Sequence, residues 1–289
     1  MATPVQIHTH TSGEQGLLVN AYLVETDHGV VAVDTTLLRG EARAFRAEME
    51  AIGKPLLAVL ITHAHPDHVA GLAELVGDAD VPILALPSVV ALMRATEAAK
   101  HAQWGPVFGA EWIAEWAYPN QLVQDREAVT FDGVTYRIYD MGPGGDCDAN
   151  GLWIIEGEPH VAFVGDLVFN GTHVYTADAY ILSWLANLEN ARTLLAGVAT
   201  LYPGHGGPGT LDVLDAHRAY LLAYIAAVKD LAEGHPSLSA EAKEELVARM
   251  NAIRPNAGLG FMIALGADAV AAELTGHSTH AATDTGNER

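Results

Sequence analysis

A single cysteine in 289 residues, Cys147, excludes an intrachain disulfide framework and fits a reducing compartment. Basic residues are also scarce: 15 Lys and Arg stand against 36 Asp and Glu, a formal charge of −21. A field of that sign repels phosphate backbones and anionic membrane surfaces at long range, so no nucleic acid is expected as a partner. No apolar run approaches the length of a membrane span. The start, Met1-Ala2-Thr3-Pro4-Val5-Gln6, has neither a cationic stretch nor an apolar core of signal-peptide length. These absences lead to the expectation of a cytoplasmic protein without membrane contact, with homo-oligomerisation left open. Half of the residues are hydrophobic, enough to build the core of one large domain or two small ones.

What the sequence does contain is concentrated in one place. Ile61-Thr62-His63-Ala64-His65-Pro66-Asp67-His68 directly follows the apolar run Leu56-Leu57-Ala58-Val59-Leu60, which reads as a buried strand. His63 and His65 are two apart and point the same way while the chain is extended; Asp67 and His68 follow a proline suited to the first position of a helix. One histidine near a strand end is ordinarily a surface or a satisfied core residue. Three His and one Asp within six residues are a much rarer coincidence and point to a metal. Imidazole and carboxylate suit zinc, iron or manganese, with zinc the default for a nitrogen-rich site.

Around this stretch the chain alternates strands and helices. Residues 17–25 and 29–34 read as antiparallel strands joined by the turn residues Thr26-Asp27-His28-Gly29. Residues 39–52 have helical spacing and stop at Gly53. A helix over 68–76, a strand over 81–86 and a helix over 88–100 capped by Ser88 follow. Segment 101–125 holds Trp104, Trp112 and Trp116 in an irregular pattern that suits either a pocket wall or packing over a sheet. Strands are expected over 134–140, 152–155 and 161–164, then a helix over 183–195 and a strand over 199–202. From 211 the pattern is helical: 211–233, a helix capped by Ser239 through Met250, and a packing helix within 256–274. Residues 275–289 read as a polar tail whose His277 and His280 are exposed and not ligands. Two blocks of strands separated and followed by helices suit two facing sheets with helices outside, an α/β architecture.

Two later motifs complete a pattern. Gly165-Asp166 and Tyr202-Pro203-Gly204-His205-Gly206 each follow an apolar strand, and with His63-x-His65-x-Asp67-His68 they resemble, in order, the metal-binding motifs of the metallo-β-lactamase-fold hydrolases. The resemblance covers roughly residues 15 to 210. It implies a four-layer αββα sandwich of two facing mixed sheets over 1–209, with 210–289 a C-terminal helical extension ending in the polar tail. It also implies two divalent metal ions, one held by His63 and His65, the other by Asp67, His68 and His205, with Asp166 bridging them. A bridging carboxylate holds two cations close, and a hydroxide shared by them is a nucleophile near neutral pH.

The sequence departs from the family at one motif. Where another metal-binding histidine is usual, it reads Gly142-Pro143-Gly144-Gly145-Asp146-Cys147-Asp148-Ala149-Asn150-Gly151-Leu152-Trp153, with no histidine. Asp146 is the first candidate for the replacement ligand, Asp148 the second and Cys147 the third. Asp67 and His173 are the catalytic candidates, His173 as a proton donor or substrate contact, with a satisfied loop histidine the competing reading. The activity implied is metal-dependent hydrolysis of a small, neutral or cationic carboxyl derivative: an ester, lactone, thioester or, least favoured, a β-lactam. Hydrolytic dehalogenation by the same hydroxide stays open. An iron-dependent persulfide dioxygenase-like oxidoreductase is the alternative, and a non-catalytic binding relative with one impaired site the third reading.

Overall fold

A computed structural model describes residues 5–277. The first sheet has the order β1 (Gln6–Thr11), β2 (Asn20–Glu25), β3 (Val30–Val33), β4 (Leu56–Leu60), β5 (Ile83–Ala85) and β6 (Gln121–Leu122). Strands β1 to β3 pair antiparallel, and β3 to β6 pair parallel. The expected hairpin joins β2 to β3, closed by the Thr26 amide and hydroxyl, each 2.9 Å from the Gly29 carbonyl. Every residue of β3 is buried, as the unbroken Val-Val-Ala-Val run requires of a strand covered on both faces. Strand β1 has no counterpart in the sequence reading; its mostly polar residues lie on a sheet edge and carry little hydrophobic pattern.

Between these strands run α1 (Arg39–Ala51), α2 (Pro66–Val69), α3 (Leu72–Val76) and α4 (Pro87–Phe108). The helix expected over 68–76 starts earlier and is split by Ala70 and Gly71. A Cβ at Gly71 would lie 3.1 Å from both the Ala42 Cβ and the Thr36 carbonyl, so α1 packs closer there than a side chain allows. Helix α4 starts at Pro87, its first-turn proline, behind Leu86; Ser88 makes no capping bond. The helix also runs eight residues past Lys100 and accommodates Pro106 in its last turns, so the irregular segment 101–125 is helical in its first part.

The second sheet follows in the order β11, β10, β9, β8, β7: β7 (Ala128–Phe131), β8 (Val134–Gly142), β9 (Asn150–Glu156), β10 (Val161–Asn170) and β11 (Thr200–Gly206). Only β10 and β11 pair parallel. Alternation along the strands sorts the two cores. Trp153, Ile155, Val161 and Phe163 join the cluster formed with the first sheet, whereas Leu152, Ile154, Ala162 and Val164 join the cluster of the outer helices. The molecule is thus two facing mixed sheets with helices on the outside. Strands β10 and β11 extend beyond their apolar runs, through Asp166 and His205, so these residues lie within strand pairing and not behind it.

Helix α5 (Ile181–Leu194) and the C-terminal α6 (Asp212–Ala232), α7 (Ala240–Ile253), α8 (Phe261–Leu265) and α9 (Ala267–Leu274) share the second cluster. The expected Ser239 cap is present, accepting from the Ala242 amide at 3.2 Å. Residues 256–274 form two short helices divided at Gly266. His277 is exposed, and His280 lies outside the described residues. No described helix is long and apolar enough to cross a membrane.

One buried polar group ties α6 to the sheet. His217 is stacked at 16° on Phe169, and burial, with Arg254 nearby, pushes its imidazole down to about 3. The folded protein therefore leaves it neutral where the unfolded chain, near the ordinary value of about 6.5, takes up a proton. Its contribution is complete above the unfolded value and is lost as pH falls from there toward 3. Denaturant unfolding of wild type between pH 7.5 and 4.5 should show a stability slope steeper than that of His217→Phe, the difference approaching about 1.4 kcal/mol per pH unit on the acid side.

Candidate metal centre

Parallel pairing brings the C-terminal ends of β3 and β4 side by side, and likewise those of β10 and β11, and all four deliver polar residues to one rim. At the end of β3, Asp34 adopts a left-handed conformation, φ 58°, unusual for a non-glycine residue. Its buried carboxylate accepts from the Thr62 amide at 2.8 Å and the Thr62 hydroxyl at 2.7 Å, and its Oδ2 lies 2.9 Å from His68 Nδ1. Asp34 thereby fixes the start of the first motif and the ring of its last histidine together. Across the sandwich, Gly151 donates to the Thr62 carbonyl at 2.8 Å and the Trp153 indole to Ile61 at 3.0 Å, pinning β9 to the same stretch.

The second half is latched by β2. Asn20 donates to the carbonyls of Pro203 and Gly206 at 3.0 and 2.7 Å, and the Tyr22 hydroxyl to Pro203 at 2.5 Å. His205 Nδ1 donates to the Leu17 carbonyl at 2.9 Å. With Nδ1 engaged in both His68 and His205, the Nε2 atoms face inward. His68 Nε2 is 3.3 Å from Asp166 Oδ1, and His205 Nε2 is 3.1 Å from Asp166 Oδ2 and 3.3 Å from Asp67 Oδ2. Asp166 is aimed there by an irregular pairing of β10 with β11 around Gly165, whose φ is 50°.

Three ligand groups result among the described residues, one of them Asp34, His63 and His68, in which Asp34 is already hydrogen-bonded to Thr62. His63, His65, Asp146 and Asp166 offer atoms within 4.8 Å of one another, as do Asp67, His68 and His205, and Asp166 touches both sets. Asp146 is therefore the residue of the divergent turn that reaches the centre, its Oδ2 2.6 Å from His65 Nδ1 and its Oδ1 3.7 Å from His63 Nε2. Asp148 is exposed, and Cys147 turns its thiol to the Ala149 carbonyl at 3.4 Å. Fit to a cation is tested by atoms without partners. Of the twelve buried side-chain nitrogen and oxygen atoms without a hydrogen bond among the described residues, four converge on these groups: His63 Nε2, His68 Nε2, Asp146 Oδ1 and Asp166 Oδ1. Buried polar atoms are nearly always satisfied, and nitrogen and carboxylate donors converging in this way suit a divalent ion.

The electrostatics agree. Burial opposes charge on His68, yet the Asp166, Asp67 and Asp34 carboxylates hold it well above the ordinary histidine value. Against the same burial penalty, Asp166 and Asp67 bring His205 up to about 9, and Asp146 and Asp178 bring His65 up to about 10. His63 is pushed well down by burial and by the neighbouring His68. Burial lifts Asp146 to about 7 although His65 works against it, whereas Asp166, equally buried, is held well below the carboxylate range by His205 and His68. Protons here neutralise carboxylates that a cation would neutralise instead.

His173 is not part of this site. Its Nδ1 lies 2.8 Å from the Tyr220 hydroxyl and its Nε2 3.1 Å from Asn251, so the ring anchors the loop after β10 to the C-terminal helices. The catalytic expectation for it is withdrawn in favour of the satisfied loop histidine. Two residues near the centre went unread. Asp34 directly follows the apolar strand β3, and an acidic residue in that position is the sequence signal that points to it. Asp178, 3.0 Å from His65 Nε2 and bonded by the Tyr175 hydroxyl at 2.8 Å, sits in a loop without a pattern. Above the ligands lies a narrow cleft of about 40 Å³, walled in part by Leu17, Leu37, Trp104, Tyr175 and Met262. Of the three tryptophans in 101–125, Trp104 lines the cleft; Trp112 and Trp116 are buried against His101.

A family model for the metallo-beta-lactamase superfamily matches residues 15–205. The chain belongs to the metallo-beta-lactamase superfamily. Solved metallo-beta-lactamases share its fold: that from Pontibacter korlensis superposes with a TM-score of 0.58 at 19% identity, covering 76% of this chain and 99% of the other. The protein from Hirschia baltica gives 0.57 at 19%, covering 76% and 98%. Among characterised relatives, the alpha subunit of a 2,4-dinitroanisole O-demethylase from Nocardioides sp. (strain JS1661) is 30% identical over 188 residues. That match spans 63% of this chain but about half, 51%, of the relative. Bacillus subtilis YobT, an uncharacterized protein, is 43% identical over 54 residues, 19% of this chain and 23% of its own.

At this candidate centre, Asp146→Ala should lower metal content, whereas Cys147→Ser should leave it unchanged. Metal analysis after dialysis reads the difference, and equal content in the two variants would remove Asp146 from the ligand set. Gly204 provides a steric test. A Cβ there would fall 1.8 Å from Asp166 Oδ1 and 2.7 Å from His68 Cε1, in backbone conformation otherwise open to alanine. Gly204→Ala should displace Asp166 and weaken metal binding at least about tenfold in chelator competition, an effect of the size seen when groups supporting metal ligands are disturbed.

Proposed function

We propose that this protein is a metal-dependent hydrolase of small-molecule carboxyl derivatives that binds two divalent cations, zinc by default. His63, His65 and Asp146 would hold one, Asp67, His68 and His205 the other, with Asp166 between them. The observation that carries the reading is the convergence of buried imidazole and carboxylate atoms within 4.8 Å of one another, four of them without a hydrogen bond. Once bound, the cations would supply a hydroxide nucleophile near neutral pH and polarise the scissile bond. The protein's own groups do the rest. Asp34 and the Leu17 carbonyl hold His68 and His205 in one tautomer, so that both present Nε2 without reorganisation. Asp67 borders the cleft and faces His205, where its carboxylate can accept a proton as a nucleophile is generated. Leu17, Leu37 and Trp104 exclude bulk water around the reacting group.

One finding favours a second substrate type on the same centre. The Nocardioides relative is named for O-demethylation of 2,4-dinitroanisole, and hydrolytic cleavage of an electron-poor aryl ether needs the same nucleophile. Zinc- or manganese-loaded protein should therefore be tested under argon on lactones, thioesters, aryl esters and 2,4-dinitroanisole. The expected result is turnover of at least one, abolished by chelation and by Asp166→Asn. Silence across the panel together with oxygen consumption on a persulfide would replace hydrolysis by the redox reading, and silence in both assays would leave a binding protein.

A further inference from the structure

Cations are rare in this chain, and nearly all are committed. Ten of the described Lys and Arg residues pair with carboxylates: Lys54 with Glu25, Arg137 with Glu156 and Lys243 with Asp268 are examples. Arg94 and Arg254 lie over the rings of Tyr118 and Tyr220. Among the described residues this leaves Lys100 and Lys229 with neither an ion pair nor a ring partner. Lys229 belongs to the last turn of α6. Lys100 lines the cleft above the metal ligands, together with His65, Asp67 and Asp166.

Lys100 stands between two differently lined spaces. On one side is the apolar cleft, whose outer wall is Trp104, Phe261 and Leu265; the latter two are 52% and 42% exposed on α8. On the other is a wider polar hollow of about 290 Å³ bordered by Thr96, Asp148 and Asp178. Lys100 is a half-buried residue at this junction; its charge acts on Asp178 through space, but it forms no contact ion pair and its ammonium is available to a ligand. The apolar walls can take up only the hydrocarbon part of such a ligand.

We propose that Lys100 is a specificity-determining residue that pairs with an anionic group on an otherwise apolar substrate, so that the site selects monoanionic amphiphiles. This rests on the hydrolase reading above. It reverses the expectation of neutral or cationic substrates drawn from the charge of −21, because a contact ion pair at the mouth outweighs a field screened over about 8–10 Å of electrolyte. Discrimination follows from geometry: the hydrocarbon part lies against Trp104, Phe261 and Leu265 while the anion meets the ammonium at the cleft edge.

The test compares metal-loaded wild type, Lys100→Met and Lys100→Arg on 4-nitrophenyl butyrate and on the mono-4-nitrophenyl ester of glutarate, which differ by a terminal carboxylate. Lys100→Met should lower kcat/KM at least about tenfold for the anionic ester and less than about twofold for the neutral one, with Lys100→Arg recovering most of the loss. An equal fall on both esters would mean that Lys100 merely balances Asp178, and no fall would mean that it is a bystander; either overturns the proposal. Should wild type hydrolyse neither ester, the hydrolase reading fails on these substrates, and calorimetry with hexane-1-sulfonate and 1-hexanol decides about Lys100 separately. Tighter binding of the sulfonate that disappears in Lys100→Met supports the assignment, and indifference to the charge overturns it.

Discussion

Three carboxylates, Asp67, Asp146 and Asp166, are buried together between the open ends of two sheets, and the structure around them is arranged to bear that cost. An uncompensated buried carboxylate is strongly disfavoured, and several within a few ångströms are tolerated only beside positive charge or a metal. Four imidazoles surround them. The raised values of His65, His68 and His205 and the partnerless atoms of His63 and Asp166 are two consequences of that one constraint. It also explains why the centre sits where β-strands from both sheets end: no single element could deliver so many polar side chains to one buried point.

Holding such a site requires a rigid surround, and the chain supplies it through residues that are not themselves at the front. Asp34 accepts strain in its backbone so that one carboxylate can fix Thr62 and His68 together. Asn20 and Tyr22 hold the carbonyls of the Pro203-Gly204 turn, so the approach of that turn to Asp166 is set from the opposite sheet. The glycine at 204 leaves the space that Asp166 and His68 occupy. The Asn20 and Tyr22 contacts link residues more than 180 positions apart, which makes the centre a property of the closed sandwich and not of any motif.

The helices after residue 211 contribute to the site as well as to the core. Helix α8 places Phe261, Met262 and Leu265 on the cleft, while His173 and Arg254 fasten the loop after β10 to α6 and α7. The cleft is correspondingly narrow and apolar over an acidic floor. On the proposed hydrolase reading, substrate choice would be divided between the strand-borne candidate ligands, which would set the chemistry, and helices α4 and α8, which line the entrance.

The primary structure by itself determined the layering and most of the candidate ligands. Local apolar runs fix strands, and three histidines and an aspartate behind such a run are legible because their spacing is local: His63, His65, Asp67 and His68 all appear at the rim as their positions implied. Resemblance puts an acidic residue of the 142–153 turn in the place of the missing histidine, with Asp146 first, but only the fold shows Asp148 exposed and Cys147 turned to its own backbone. The tertiary structure alone decided three further matters: that Asp34 and Asp178 support His68 and His65, that His173 faces the C-terminal helices, and that Lys100 stands at the entrance without a contact ion pair. Each depends on contacts between distant segments, and neither periodicity nor spacing along the chain encodes which face of a loop or helix will meet another element.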